Sequence, residues 1–146
     1  MSAEENKAIA HRLYEEVINT GDLDRAEELL TPDFVEHEEV PVPADLPGID
    51  AFKQLFSMIR GAFPDFRMDV QDMIAEGDKV VARIIGHGTH QGEFMGISPT
   101  SNRIEMSAID IFRIEGGKIA EHWGNADNLG MMQQLGAIPP PGQTDS

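Results

Sequence analysis

Residues 104–127 read IEMSAIDIFRIEGGKIAEHWGNAD, two alternating segments hinged at Gly116-Gly117. With a period of two, Ile104, Met106, Ala108, Asp110, Phe112 and Ile114 share one side of the first segment, so a single carboxylate sits in the middle of an apolar strand face. An ionised carboxylate there costs several kcal/mol unless it is paired, hydrogen-bonded or protonated. Asp110 is therefore either a satisfied structural acid or the floor of a reactive pocket. On the second segment Ala120, His122 and Gly124 share one face, and Ile119, Glu121 and Trp123 the other.

Working outward, residues 67–75 and 79–87 form a second alternating pair, joined by Glu76-Gly77-Asp78, which predicts four antiparallel strands in two hairpins. Between the hairpins runs HGTHQGEFMGISPTSNR, residues 87–103, a Gly-rich excursion long enough to be functional. The first third of the chain is helical in period. Ala10, Leu13, Tyr14, Val17 and Ile18 form one amphipathic stripe, and Phe52, Leu55, Phe56, Ile59 and Phe63 another that Pro64 closes. Between them Asp22 is placed to cap a short helix, LDRAEELL, that Thr31-Pro32 ends. A brief extended piece over 34–37 then leads into the Pro-rich loop EEVPVPADLPG, residues 38–48. Residues 129–135 read as one or two helical turns, and Asp127 before them as an N-cap or a group at a pocket mouth.

Helices first and a strand meander second predict an α+β fold: a curved antiparallel sheet with its concave face over the N-terminal helices and a pocket where the helices fail to fill it. One domain over 1–138 and a Pro-rich tail over 139–146 are expected. The 26 acidic and 11 basic residues leave a formal charge of −15, which repels a phosphate backbone and any strongly anionic substrate. Nucleic acid is thus an unfavourable partner. The chain has no cysteine, no apolar run of membrane-spanning length and a polar, acidic N-terminus, so a cytoplasmic protein without membrane association is expected.

If Asp110 and His122 face the same hollow, an acid and an imidazole on adjacent strands form a pair suited to general acid/base work. Removing a proton beside a carbonyl asks for little more: a base, a donor to the enolate oxygen and walls that exclude water. Asp110 is the candidate base, His122 its partner and Tyr14, on the buried helical stripe, the donor. Each also has a structural reading: Asp110 held by backbone amides or by Arg83, His122 bridging to that acid, and Tyr14 as core. His37, Phe56, Met106, Phe112 and Asp127 are candidates for the pocket wall. His87 and His90 lie three apart in the Gly-rich excursion, without the spacing or second acid of a ligand set, so no metal is expected. Phosphate-cradling loops, a nucleophile elbow and thiols are all missing from the sequence.

The order of elements, with GEFMGISPT (92–100), AIDIFRIEGGKIAEHWG (108–124) and NLGMMQQLG (128–136), resembles the SnoaL-like polyketide cyclases, or ester cyclases, over nearly the whole chain. That family is similar in fold to ketosteroid isomerase, scytalone dehydratase and nuclear transport factor 2, a cystatin-like cone of helices wrapped by a bent sheet. The resemblance implies a pocket without cofactor or metal and an intramolecular aldol condensation that closes a ring of a polyketide ester. It also implies a departure. The family's acid/base aspartate falls on Gly124, and a pocket histidine falls on Asp110. Either Asp110 has taken the role, or the reaction differs, or the pocket only binds.

The expected function is cofactor-independent acid/base catalysis on a small, apolar, carbonyl-bearing substrate, by aldol cyclisation or a related isomerase or dehydratase step. The alternative is a non-catalytic ligand-binding or dimerisation module of the same fold. Ile109, Ile111, Ile119 and Trp123 would form an apolar patch on the outer sheet face, which predicts a homodimer or homotetramer.

Overall fold

A computed structural model describes residues 2–139 and Gly142. The tail expected over 139–146 otherwise lies outside the described residues. Ser2 opens the chain with a capping box, its hydroxyl accepting from the Glu5 amide, and α1 runs Ala3–Arg12. The helix then widens into a π-helical segment, Leu13–Ile18, closed by a hydrogen bond from Asn19 N to the Tyr14 carbonyl. Leu13, Tyr14, Val17 and Ile18 are all buried, as their spacing predicts.

The second helix differs from expectation. It is a 3-10 turn, Leu23–Arg25, continued by α2, Ala26–Leu29, and the Asp22 side chain makes no capping bond. Thr31-Pro32 does not end it but lies inside a strand. That strand, β1 (Leu30–Glu36), is longer than the expected piece over 34–37, and it pairs in parallel with the last strand. Its register skips between Leu30 and Val35, and the exposed Pro32 sits in that skip at the sheet edge, where a missing N–H is tolerated.

Helix α3 spans Gly48–Ala62, followed by β2 (Arg67–Glu76), β3 (Lys79–Thr89), β4 (Arg103–Glu115), β5 (Lys118–Ala126) and α4 (Asn128–Gln134). The sheet has five strands in the order β1-β5-β4-β3-β2, antiparallel except for the β1-β5 pair. Along β4 the residues Ile104, Ala108, Asp110, Phe112 and Ile114 are buried, while Glu105, Ser107 and Ile109 are exposed. Helices α1 and α3 pack over this inner face.

Ile119 is a correction. The β4-β5 register steps from Arg113–Glu121 to Ile114–Ile119, so Ala120 is an extra residue in β5. This bulge breaks the alternation and turns Ile119 into the core, fully buried, rather than onto the outer face. The outer apolar set shrinks to Ile109, Ile111 and Trp123. Among the described residues no helix is long and apolar enough to cross a membrane.

Candidate active site

Asp110 sits at the centre of the sheet, directly across from Gly124 on β5 and from Ala82 on β3. His122 stands across from Phe112 on one side and Glu36 on the other. Strand pairing thus brings Asp110, His122 and Glu36 to one inner corner, and the π-helical segment lowers Tyr14 onto it. Asp110 and His122 are 8% and 9% exposed and Tyr14 is fully buried.

The corner is wired by short hydrogen bonds. The Tyr14 hydroxyl donates to Asp110 Oδ2 at 2.5 Å. His122 Nε2 lies 2.8 Å from Asp110 Oδ1, and His122 Nδ1 lies 2.5 Å from Glu36 Oε2. The same Glu36 Oε2 accepts from the backbone amide of Glu38 at 3.2 Å. Burial pushes the His122 pKa down, but hydrogen bonds and charge from Asp110 and Glu36 outweigh it and raise the value to about 10. At neutral pH the ring is an imidazolium that donates through both nitrogens. Burial, followed by the charge and hydrogen bond of Asp110, holds the Tyr14 phenol well above its ordinary pKa, so it stays protonated. Burial also raises Glu38, with the Asp110 and Glu36 charges adding to the rise and His122 opposing it.

This polar corner opens into a cavity of about 320 Å³, a size that suits a small organic ligand. Phe52, Phe56, Met106, Phe112 and Met131 contribute to an apolar wall.

The model of the SnoaL-like polyketide cyclases matches residues 8–135. The chain belongs to the SnoaL-like polyketide cyclase family. It is 32% identical over 124 residues to a nogalonic acid methyl ester cyclase of Streptomyces nogalater, covering 81% of this chain and 88% of the relative. It is 28% identical to the aklanonic acid methyl ester cyclase DnrD of Streptomyces peucetius, over 83% of this chain and 84% of that protein. Among solved structures it is similar to TsrD from Streptomyces laurentii, with a TM-score of 0.83 at 30% identity, covering 94% of this chain and 99% of that one. Wild-type IdmH from Streptomyces antibioticus follows the same fold, with a TM-score of 0.77 at 35% identity over 90% and 98% of the two chains.

Within this SnoaL-like chain the structure brings Tyr14, Asp110 and His122 together and places Phe56, Met106 and Phe112 on the cavity wall. Other expectations need correction. His37 lies on the outer face, stacked on Trp123 at 4.7 Å and bonded to Glu121 at 2.7 Å, because its parity on β1 is opposite to that of Glu36. Asp127 is the cap of α4, its side chain accepting from Gly130 N, and is not a wall residue. Arg83 pairs with Asp72 on the solvent side and never reaches Asp110. The lone proton of Tyr14 is already given to Asp110, so Tyr14 supports that acid and is not itself a free donor to substrate. Both Asp110 oxygens are likewise occupied.

Two residues were missed by the sequence reading, Glu36 and Glu38. Phe34, Glu36 and Glu38 alternate on one side of an extended run, the same parity signal that singled out Asp110, but acids beside a Pro-rich loop read as solvated. As for metals, His87 pairs with Asp69 while His90 is buried against Thr100, so these two histidines are engaged separately. Glu38, Asp110 and His122 do offer ligand atoms within 4.8 Å of one another.

Proposed function

We propose that this protein is a polyketide ester cyclase that closes a carbocyclic ring by intramolecular aldol addition in the cavity beneath the sheet. The observation that carries this reading is an apolar cavity ending in a buried cluster where a cationic imidazole is fixed between two carboxylates. An enolate forming in this cavity lies beside a polar corner whose groups are already fixed by hydrogen bonds and need no reorganisation. The surrounding aromatic and methionine side chains keep water from quenching it. Esterified substrates such as those in the relatives' names suit a chain of charge −15, because a methyl ester removes a carboxylate that the protein field would repel.

The test is incubation with nogalonic and aklanonic acid methyl esters, without added metal or cofactor. Aldol addition within one molecule leaves mass unchanged and alters retention and absorbance, so formation of an isomeric product above the uncatalysed rate is the expected result. Tight binding of the esters with no product would favour the alternative of a binding module, which Gly124 in place of an acidic side chain supports. A double-bond isomer or a product lighter by one water would instead assign an isomerase or dehydratase.

We also propose that two copies pair through the outer sheet face, where Ile109 is exposed and Ile111 and Trp123 are half-buried. Sedimentation of the wild type and of Ile109→Lys decides this. A dimer in the first and a monomer in the second is the expected pattern, whereas a monomeric wild type would rule pairing out.

A further inference from the structure

We infer that Glu38, carried on the Pro-rich loop, is the catalytic residue that moves the proton in this cavity, and that Gly124 is a glycine because the Glu38 carboxyl occupies the space a side chain there would need. This rests on the cyclase reading above and deepens it.

The hydrogen-bond pattern leads to Glu38 by elimination. Asp110 accepts from Tyr14 on one oxygen and from His122 on the other. His122 uses both nitrogens, and Tyr14 its only proton. Glu36 holds His122 and the Glu38 amide with a single oxygen, Oε2, which makes it a positioning residue for both. The Glu38 carboxyl, by contrast, accepts no hydrogen bond from the described residues, faces the cavity, and lies with Asp110 and His122 in one cluster of oxygen and nitrogen atoms. Among the described residues Glu38 is hydrogen-bonded through its backbone amide alone, which fixes where the side chain starts and leaves the carboxyl free to reach substrate.

Gly124 supplies an independent line. A Cβ built at that position would collide with Glu38 Oε1 and lie 3.0 Å from Asp110 Oδ1 and 2.9 Å from His122 Cε1. A short acidic side chain growing from β5 would put its carboxyl in the volume where Glu38 now reaches from the loop that follows β1. The site keeps a carboxyl there but supplies it from a different element. Burial raises the proton affinity of Glu38, which suits a group that must take a proton from carbon and return it to oxygen near neutral pH.

The step balances within one substrate molecule. Glu38 carboxylate takes a proton from the carbon beside a carbonyl, and the C–H electron pair becomes the enolate. The enolate carbon bonds to a second carbonyl carbon, whose C=O π electrons move onto oxygen as an alkoxide. Protonated Glu38 then gives its proton to that alkoxide and is restored. No oxidant, reductant or co-reactant enters.

Two measurements test this, and one needs no substrate. Carbon-13 carboxyl NMR on glutamate-labelled protein, assigned with Glu38→Gln, is expected to show Glu38 titrating above the ordinary glutamate range. A midpoint in or below that range overturns the proposal. With the ester substrate, Glu38→Gln is expected to lose at least 100-fold in kcat and the acidic limb of the pH–rate profile. Glu38→Asp should keep part of the rate, and Glu38→Ala/Gly124→Asp should recover activity over Glu38→Ala alone. Full activity in Glu38→Gln, or loss confined to Glu36→Gln, overturns it. If the wild type turns over neither ester, the cyclase reading fails and takes the proton-transfer role with it, whereas an ordinary Glu38 midpoint with turnover intact overturns the Glu38 assignment alone.

Discussion

Tyr14 and Asp110, 96 residues apart in the chain, are joined by a 2.5 Å hydrogen bond that ties the π-helical segment to the middle of the sheet. Both groups are buried, so the bond removes the cost of an unpaired carboxylate oxygen in an apolar layer. Tyr14→Phe keeps the ring packed against Phe112 and leaves Asp110 Oδ2 without its donor. The expected outcome is a destabilisation of about 1–3 kcal/mol, measured by urea unfolding, with the fold retained.

His122 makes stability depend on alkaline pH. Its pKa rises from the ordinary 6.5 to about 10 in the folded state. The folded protein therefore holds this proton more tightly than the unfolded chain does. The resulting stabilisation is complete below pH 6.5 and is lost as pH climbs through about 10. Unfolding free energies of wild type minus His122→Gln, measured across that window, are expected to fall steadily. Nitrogen-15 spectra should show both ring nitrogens protonated at neutral pH.

Glu38 also lowers stability as pH rises, but over a more acidic window and as a cost that appears on ionisation. A carboxyl whose folded pKa is raised costs stability once it ionises, so the protein weakens as pH rises from the ordinary value of 4.5 through the elevated one. Glu38→Gln is expected to melt at a higher temperature than wild type at neutral pH, with the difference vanishing well below 4.5. A more stable protein with less activity is the pattern expected where function holds a strained charge in place.

Gly124→Ala tests the crowding at the corner. The added methyl meets Glu38 Oε1, on a side chain that can shift, and also His122 Cε1 at 2.9 Å and Asp110 Oδ1 at 3.0 Å, which their hydrogen bonds hold in place, so the carboxyl is displaced and the corner is strained. A displacement of about 1 Å is expected to lower kcat by roughly 10²-fold, with a melting temperature below that of wild type because the crowded His122 and Asp110 must also give. Steady-state kinetics and a thermal melt on the same preparation check both halves.

Met106 lines the cavity on β4 away from the hydrogen-bonded residues. Met106→Trp reduces a space of about 320 Å³ without touching the proton-holding groups. A rise in KM with kcat nearly unchanged is expected, the signature of lost substrate binding and not of lost chemistry.

Much of this architecture is visible in local periodicity. The strands β2 to β5, the long helix α3 and the inward set on β4 follow from alternation and the 3.6-residue stripe, and that same alternation puts Asp110 and His122 on one face. What escapes is non-local or depends on a single residue of register. The parallel pairing of Leu30 with Ile119 joins segments 89 positions apart, with no turn between them to announce it. One extra residue at Ala120 reverses Ile119. Glu36 and Glu38 look like solvated acids until β1 is known to extend into the sheet, and His37 looks like a wall residue until its parity is fixed.

The loop that delivers Glu38 is held at both ends: Glu36 grips it at the start, and at the far end Gly48 presses so close to the Phe34 carbonyl that no side chain fits. Between those anchors Val40 and Pro41 also line the cavity, so the loop bounds the pocket as well as carrying the acid. Transplanting this strap together with a glycine opposite Asp110 is thus a compact recipe for engineers: a reactive acid exchanged as a cassette, its reach adjusted by trimming or padding a handful of residues.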